Sequence, residues 1–222
     1  MLTETVNLVD RIIEYIEVNR VSTTEIADIL GRTGEINRKI KPLTPKKRAV
    51  GKVFYAPSFY ESNWHTHYFL QEAPANSVVF VEGINCNERA LFGSLVAKYV
   101  ILYKQAKAII VDGWVRDAHT LLKEEYPIWA YGATPIGCFK ENSGIDQEYY
   151  EKRKQELDGA IMVADDSGVV VVKKDQLTKE FLEGLVRIET QEDIWFDCID
   201  RLKYSTFETV CLKKYEENKI DK

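Results

Sequence analysis

The chain has 222 residues, of which 45% are hydrophobic and 29% charged, and its formal net charge is −5. This length and apolar content are sufficient for one domain with a full hydrophobic core. The charge is mild and forms no basic stripe, and no apolar run is long enough to cross a bilayer, so we expect neither nucleic-acid nor membrane partners.

The N-terminus and the cysteines both favour a cytoplasmic protein. The first ten residues lack the basic-then-apolar order of a signal peptide. The four cysteines are widely spaced, without the close pairs of a zinc site or the density of a disulfide framework. We therefore expect reduced thiols and a cytoplasmic location.

The first part of the chain predicts two helices followed by strands. Residues 4–19 place apolar side chains on one face of a helix. Ser22 and Glu25 form a capping box that starts a second, short helix. Strand-like stretches follow at 49–59 and 77–82. Glu82 closes the second of these stretches, either as a polar site residue or as a solvated strand end.

A His-x-His pattern follows Asn63, where we expect a helix to begin. On a helix, two positions two residues apart point about 200° away from one another. His65 and His67 also lack a third clustered ligand, which a metal site would need. The pattern therefore favours a helix start that carries two polar rings over a histidine metal site.

The stretch 91–117 predicts a helix, a buried strand and a turn. Residues 91–104 show helical spacing of apolar side chains, at Phe92, Leu95, Val96, Tyr99, Leu102 and Tyr103. Residues 106–111 are typical of a covered strand. Arg116 and Asp117 follow its end, where open sheets usually bind ligands. Taken alone, the simpler interpretation is that Asp117 caps a helix at 118–125 and Arg116 makes a surface ion pair.

The remaining chain predicts a strand at 127–131, a charged, exposed helix within 140–158 and a strand–turn–strand unit at 161–172. From residue 178 onward the pattern is helical. We expect a single domain over residues 1–205 and a polar helical tail over residues 206–222.

Three segments, in this order, resemble the RraA-like family, which includes the regulator of ribonuclease activity A and the class II aldolases of 4-hydroxy-4-methyl-2-oxoglutarate. The weakest is STTEIADILG at 22–31. The central one joins GSLVA at 93–97 to IIVDGWVRD and YPIWAYGATP, and the last is DGAIMVADDSGVVVV at 158–172. The resemblance implies an α/β fold, a three-layer β/β/α sandwich of the swivelling-domain type with N- and C-terminal helices. It also implies a homotrimer or hexamer with sites at subunit interfaces.

The resemblance further implies a lyase that releases pyruvate from a 4-hydroxy-2-oxo acid or from oxaloacetate through a metal-stabilised enolate. Arg116 and Asp117 would be catalytic, with Arg116 on the 2-oxo acid and Asp117 on a divalent metal, Mg²⁺ or Mn²⁺. Backbone N–H groups of Gly93, Ser94, Leu95 and Val96 would hold the substrate carboxylate.

Four features depart from the family pattern and leave alternatives open. Ser94 and Thr120 stand where acids are common, and the spacing from Gly93 to Arg116 is about one residue longer than in the family. The charged segment 140–158 replaces a Gly-rich hairpin. The candidates for a compensating acid are Asp112, Glu124, or Glu189 or Glu192 of a neighbouring subunit. The alternatives are a catalytically silent regulatory or protein-binding module, and a lyase for a larger acid whose pocket the charged helix reshapes.

Overall fold

The protein is represented by a computed structural model that describes residues 7–217. Residues 4–6 of the predicted first helix and residues 218–222 of the predicted tail lie outside the described residues. The chain forms two compact units, one extending to Thr178 and the other beginning at Lys179.

The first unit alternates strands and helices along most of its length. Its helices are α1 (Leu8–Asn19), α2 (Thr23–Ile29), α3 (Trp64–Phe69), α4 (Ser94–Lys98), α5 (Ala118–Lys123) and α6 (Gln147–Leu157). Its strands are β1 (Lys41–Pro42), β2 (Ala49–Tyr55), β3 (Ser58–Phe59), β4 (Val78–Ile84), β5 (Ala90–Phe92), β6 (Ala108–Asp112), β7 (Trp114–Val115), β8 (Ile128–Ala130), β9 (Gly132–Ala133), β10 (Ile161–Ala164) and β11 (Val169–Val172).

The main sheet has the order β1-β8-β6-β4-β2-β10-β11, with β3 paired to β4. Strands β2, β4, β6 and β8 are parallel, whereas β10 runs antiparallel to β2 and β1 antiparallel to β8. The central strands are β-branched and apolar, and separate buried clusters contain alternate residues of β4 and β6. A sheet covered on both faces is expected to carry such continuous apolar strands.

A second, smaller sheet consists of the parallel strands β5, β7 and β9. Each of these strands follows a strand of the main sheet, so the chain crosses from the main sheet to the smaller one three times and returns each time. Gly113 makes one crossing with φ +156, and a Cβ there would lie 2.9 Å from a Leu91 methyl. The crossings bring the ends of β5 and β7 side by side, which positions the site described below.

The segment predicted as one helix over 91–104 differs from the prediction. Leu91 and Phe92 belong to strand β5, and α4 begins only at Ser94 before a π-helical turn over Tyr99–Tyr103. Several apolar side chains expected to be buried are exposed, namely Leu95 (79%), Leu102 (53%) and Tyr103 (70%). Phe92 belongs to strand β5 and does not contribute to the helix. The buried side chains of the helical segment are therefore Val96, Ala97 and Val100.

Other local predictions are confirmed. Ser22 and Glu25 form the capping box of α2, and Asn63 is the residue before α3. The charged segment is helical over Gln147–Leu157, and the strand–turn–strand unit is the hairpin β10–β11.

The second unit contains one long helix, α7 (Lys179–Asp200), and a π-helical turn at Phe207–Cys211. Within it, the Gln191 side-chain amide donates to the Tyr215 hydroxyl at 3.0 Å. Across residues 7–217, no helix has the length and apolar character needed to cross a membrane.

Candidate functional site

Arg116 and Asp117 lie where strand β7 ends, beside the end of β5. The Arg116 backbone N–H donates to the Phe92 carbonyl at 2.9 Å, which brings both residues next to Gly93. Asp117 adopts a left-handed conformation, with φ 58°, at the residue that precedes α5. Asp117 occupies the N-cap position of that helix, but its side chain makes no capping bond, so the simpler interpretation of its carboxylate as a helix cap is wrong.

The Asp117 carboxylate is held instead by the start of α4. Its Oδ2 atom accepts from the Ser94 backbone N–H at 2.9 Å and from the Ser94 hydroxyl at 3.1 Å. Gly93 makes this approach possible, because a Cβ there would lie 2.2 Å from the same oxygen. The Ser94 N–H, expected to bind substrate, is therefore already used to orient the Asp117 carboxylate.

A pocket of about 70 Å³ opens beside this pair. Three parts of the chain form its walls: the ends of β5 and β7 with α4, helix α3, and the segment after β9. The lining residues are Asn63, His67, Ala90, Phe92, Gly93, Leu95, Val96, Arg116, Asp117, Gly137 and Lys140. Of the predicted substrate-binding residues, Ser94 is absent from this wall, whereas Gly93, Leu95, Val96 and Arg116 are part of it.

Asn63 and Lys140 form a polar contact across the pocket. Asn63 is almost fully buried, its amide donates to the Leu91 carbonyl at 2.6 Å, and its Oδ1 accepts from Lys140 Nζ at 2.8 Å. Burial and the nearby Arg116 lower the pKa of Lys140. Burial and Lys140 likewise lower the pKa of His67, which keeps its imidazole neutral.

Sequence reasoning missed Asn63 and Lys140 as site residues. Asn63 signalled only the start of a helix, and Lys140 was one charge in a stretch of many. His67 drew attention for metal binding, which its orientation on the helix argued against. What brings the three residues to Arg116 is packing between distant segments, and neither spacing nor composition carries a signal for that.

The charges of the pocket suit an anionic ligand and one weakly chelated cation. Two cations, Arg116 and Lys140, face one carboxylate, Asp117. Residues 7–217 contain no group of three or more His, Cys, Asp or Glu side chains arranged to hold a metal. Mg²⁺ commonly binds through one or two carboxylates and fills its other positions with waters and substrate oxygens. The single carboxylate of the pocket therefore fits such an ion, with Asp117 as its protein ligand. The absence of a side chain at Gly93 leaves space beside the Asp117 carboxylate.

The other acids lie elsewhere or face outward. Glu82 of β4 and Asp112 of β6 lie opposite each other in the parallel register of the two strands. Both line a separate cavity of about 690 Å³. Glu82 accepts from the Tyr55 hydroxyl at 2.6 Å and pairs with Arg153 of α6 at 3.2 Å. The charged helix α6 therefore contacts the wall of this second cavity through Arg153 and Tyr149. From the predicted charged segment 140–158, Lys140 lines the Arg116–Asp117 pocket.

Asp112 and Glu124 do not compensate for the missing acids within this unit. The Asp112 carboxylate accepts from the Asn37 amide at 3.1 Å and from the Tyr131 hydroxyl. Glu124 is exposed at the end of α5, and Thr120 is also exposed. None of these three residues lines the Arg116–Asp117 pocket.

Comparison with known proteins identifies relatives over most of the first unit. The profile of the RraA-like family, described as Aldolase/RraA, matches residues 23–171. The 4-hydroxy-4-methyl-2-oxoglutarate aldolase of Thermus thermophilus is 27% identical over 151 residues, covering 68% of this chain and 91% of that protein.

Solved structures show the same fold at low sequence identity. An uncharacterized protein from Pseudomonas syringae pv. tomato superposes with a TM-score of 0.66 at 21% identity, covering 90% of this chain and 96% of that chain. RraAS2 of Streptomyces coelicolor, described as an unusual member of the RNase ES inhibitor RraA family, has a TM-score of 0.64 at 21% identity, covering 82% and 95%. These similarities confirm the predicted α/β fold and carry no statement about activity.

Proposed function

Because the chain belongs to the RraA-like (Aldolase/RraA) family, we propose that it is a carbon–carbon lyase that releases pyruvate from a 4-hydroxy-2-oxo acid or from oxaloacetate. The carrying observation is the placement of Asp117. Its carboxylate is oriented by Ser94, faces a pocket that Arg116 and Lys140 also line, and is left accessible by Gly93.

The reaction breaks the bond between C3 and C4 of the substrate, and its barrier arises from the electron pair left on the pyruvate half. Arg116 suits the substrate carboxylate, because a guanidinium binds a carboxylate through two parallel hydrogen bonds and keeps its charge. Lys140, held by Asn63, places a second positive charge beside the developing negative charge.

The C4 hydroxyl must lose its proton as the bond breaks. His67 is the neutral base in the wall of the pocket, since burial and Lys140 both lower its pKa. We assign proton acceptance to its imidazole. Oxaloacetate needs no such base, because its C4 leaves as carbon dioxide and no hydroxyl proton is removed.

The proposal includes a divalent cation, Mg²⁺ or Mn²⁺, anchored at Asp117. When bound, such a cation supplies Lewis-acid stabilisation of negative charge on the 2-keto oxygen. Asp117 contributes the carboxylate, and the two Ser94 donors hold its Oδ2 atom. Its other oxygen, Oδ1, is not engaged by these two bonds.

We also propose a cytoplasmic homotrimer or hexamer in which subunits complete one another's sites. Arg116 and Asp117 are exposed in the single chain, and their pocket is small. Leu95, which lines this pocket, and Leu102 and Tyr103 of the π-helical turn that follows α4 each expose more than half of their surface. Exposed apolar side chains of this size often mark an interaction surface. A neighbouring subunit over this face would cover these side chains and enclose the pocket.

A non-catalytic regulatory role is the second candidate. The same exposed apolar side chains would serve a protein partner, and the fold is shared with RraAS2 of Streptomyces coelicolor. In that case, Arg116 and Asp117 would stabilise the end of β7 without turnover.

A pyruvate-release assay separates the two candidates. We would assay oxaloacetate and 4-hydroxy-4-methyl-2-oxoglutarate with and without Mg²⁺ or Mn²⁺, using the wild type, Arg116→Ala and Asp117→Asn. Arg32→Ala is the control, because Arg32 is 90% exposed and 3.9 Å from its partner Asp28.

We expect metal-dependent turnover that falls about 10²–10³-fold in both site variants and is unchanged in the control. A folded wild type that neither turns over these acids nor binds metal would refute the lyase and favour the regulatory role.

A further inference from the structure

Helix α3 carries two aromatic side chains that remain at the surface beside the pocket. Trp64 and Tyr68 are one helical turn apart, and their rings stack with centroids 5.8 Å apart and planes inclined by 6°. Trp64 is 37% exposed and Tyr68 57% exposed. Tyr and Trp are enriched where proteins bind their ligands, so two stacked rings exposed beside a pocket indicate a binding surface.

The rings belong to a cavity that adjoins the Arg116–Asp117 pocket. This cavity has a volume of about 440 Å³ and is lined by Trp64, His67, Tyr68, Gln71 and Lys140. His67 and Lys140 also line the pocket of about 70 Å³ that holds the catalytic pair. The smaller space has room for few atoms, so the rest of a substrate bound at Arg116 must extend past His67 and Lys140 toward the rings.

Two of the polar side chains of this cavity, Gln71 and Lys140, are engaged within the protein. The Gln71 amide donates to the Tyr68 carbonyl at 3.1 Å, and Lys140 Nζ donates to Asn63 at 2.8 Å. Lys140 lines both cavities and therefore lies where they adjoin. No acid is among the five lining residues, so the cavity offers flat apolar surface to its occupant.

We propose that Trp64 and Tyr68 form the subsite for the C4 substituent, and that the substrate is a 4-hydroxy-2-oxo acid with an aromatic ring at C4. This inference rests on the proposed lyase function and specifies its substrate class. The 2-oxo acid end lies at Arg116 and Asp117, and the ring stacks on the exposed face of the Trp64–Tyr68 pair. Such stacking contributes a large part of the binding of flat ligands.

The corresponding reaction is a retro-aldol cleavage. The C4 hydroxyl gives its proton to His67 and becomes the carbonyl of an aromatic aldehyde. The bond between C3 and C4 breaks, and its electron pair moves to the pyruvate half. A proton then adds at C3 to give pyruvate, so the products are one pyruvate and one aromatic aldehyde without any oxidant or reductant.

Three substrates test the subsite by kcat/KM for pyruvate release: 4-hydroxy-2-oxo-4-phenylbutanoate, its methyl analogue 4-hydroxy-2-oxopentanoate, and oxaloacetate. The variants are Trp64→Ala and Tyr68→Ala, with Phe196→Ala as the control because Phe196 is an exposed aromatic residue (65%) of α7. Molecular mass in solution is measured for each variant.

We expect the wild type to prefer the phenyl substrate at least about tenfold over the methyl one. Each variant should lose about ten- to one-hundred-fold on the phenyl substrate and less than about threefold on the other two. Equal losses on all three substrates, a wild type without preference for the ring, or a changed mass in a variant would overturn the subsite.

A binding measurement distinguishes failure of the subsite from failure of the lyase. The probe is 2-oxo-4-phenylbutanoate, which lacks the C4 hydroxyl and cannot be cleaved, and its affinity is measured calorimetrically. Weaker binding to Trp64→Ala than to Phe196→Ala supports the subsite even if no substrate is turned over. Equal binding to both variants, or no binding to the wild type, overturns it.

Discussion

The Asp117 carboxylate and Ser94, 23 residues apart in the chain, are joined by two hydrogen bonds to one oxygen, from the Ser94 N–H at 2.9 Å and its hydroxyl at 3.1 Å. These bonds point the carboxylate away from its own helix α5 and toward the pocket. Ser94, which departs from the acid common in the family, therefore has a defined role as the residue that orients Asp117.

Gly93→Ala should abolish activity while the protein still folds. A Cβ at this position would lie 2.2 Å from Asp117 Oδ2 and 2.8 Å from Arg116 Cγ, so both side chains must leave their positions. We expect kcat/KM for pyruvate release to fall at least about 10²-fold.

Gly31→Ala is the matched control for this substitution. Gly31 has open space around a Cβ but φ +70, so the change should cost about 1 kcal/mol of stability. Its activity should be unchanged. A Gly93→Ala enzyme with wild-type activity would show that the Asp117 position is unimportant for the reaction.

Ser94→Asp should tighten binding of a divalent cation. The Ser94 hydroxyl already touches Asp117, so a carboxylate in its place would add charge beside the proposed metal ligand. We expect the Mg²⁺ dissociation constant, measured by calorimetry, to fall about tenfold. Ser94→Ala, which removes the hydroxyl and adds no charge, should not tighten it. Equal Mg²⁺ binding by both variants would argue against a metal at Asp117.

The acidic limb of the pH profile should report His67. Its pKa is lowered by burial and by Lys140, so the neutral base persists below the ordinary histidine value of about 6.5. Cleavage of a 4-hydroxy-2-oxo acid should decline only as the pH falls through that lowered pKa. In His67→Gln this limb should disappear together with most of the cleavage. Oxaloacetate decarboxylation, which needs no base at the hydroxyl, should persist.

The basic limb should report Lys140. Burial and Arg116 lower its pKa, so its positive charge is lost at a lower pH than that of an ordinary lysine. Activity that needs this charge should fall as the pH rises through the lowered pKa. In Lys140→Arg the charge persists, and the limb should move to higher pH in a plot of kcat/KM. An unmoved limb would assign it to another group.

Arg153→Met should destabilise the first unit. Arg153 pairs with Glu82 at 3.2 Å, and the Glu82 side chain is only 9% exposed. Removing the cation leaves a buried carboxylate that still accepts from the Tyr55 and Tyr149 hydroxyls but no longer has a positive partner among residues 7–217. We expect a loss of about 3 kcal/mol in the free energy of unfolding, measured with urea.

The control for this loss is Arg32→Met, which breaks an exposed pair and should cost less than about 0.5 kcal/mol. Equal stability of the two variants would show that Glu82 is solvated in the native protein.

The amino-acid sequence by itself determined the local elements and the position of Arg116 and Asp117 past the end of a strand. Apolar runs predicted β4, β6 and β8, the capping box predicted α2, and Asp112-Gly113 predicted the end of a strand before Arg116 and Asp117. These features depend on contacts between near neighbours and on alternation of burial, which a sequence displays directly.

Only the tertiary structure decided which residues surround Arg116 and Asp117. Short-range spacing predicted a helix at Leu91 and a capping role for Asp117, and both were wrong because β5 pairs with β7 and Ser94 offers two donors. Lys140 and the Trp64–Tyr68 pair reach the site through packing of segments far apart in the chain. Such contacts depend on how the sheets and helices pack together, which local propensity does not predict.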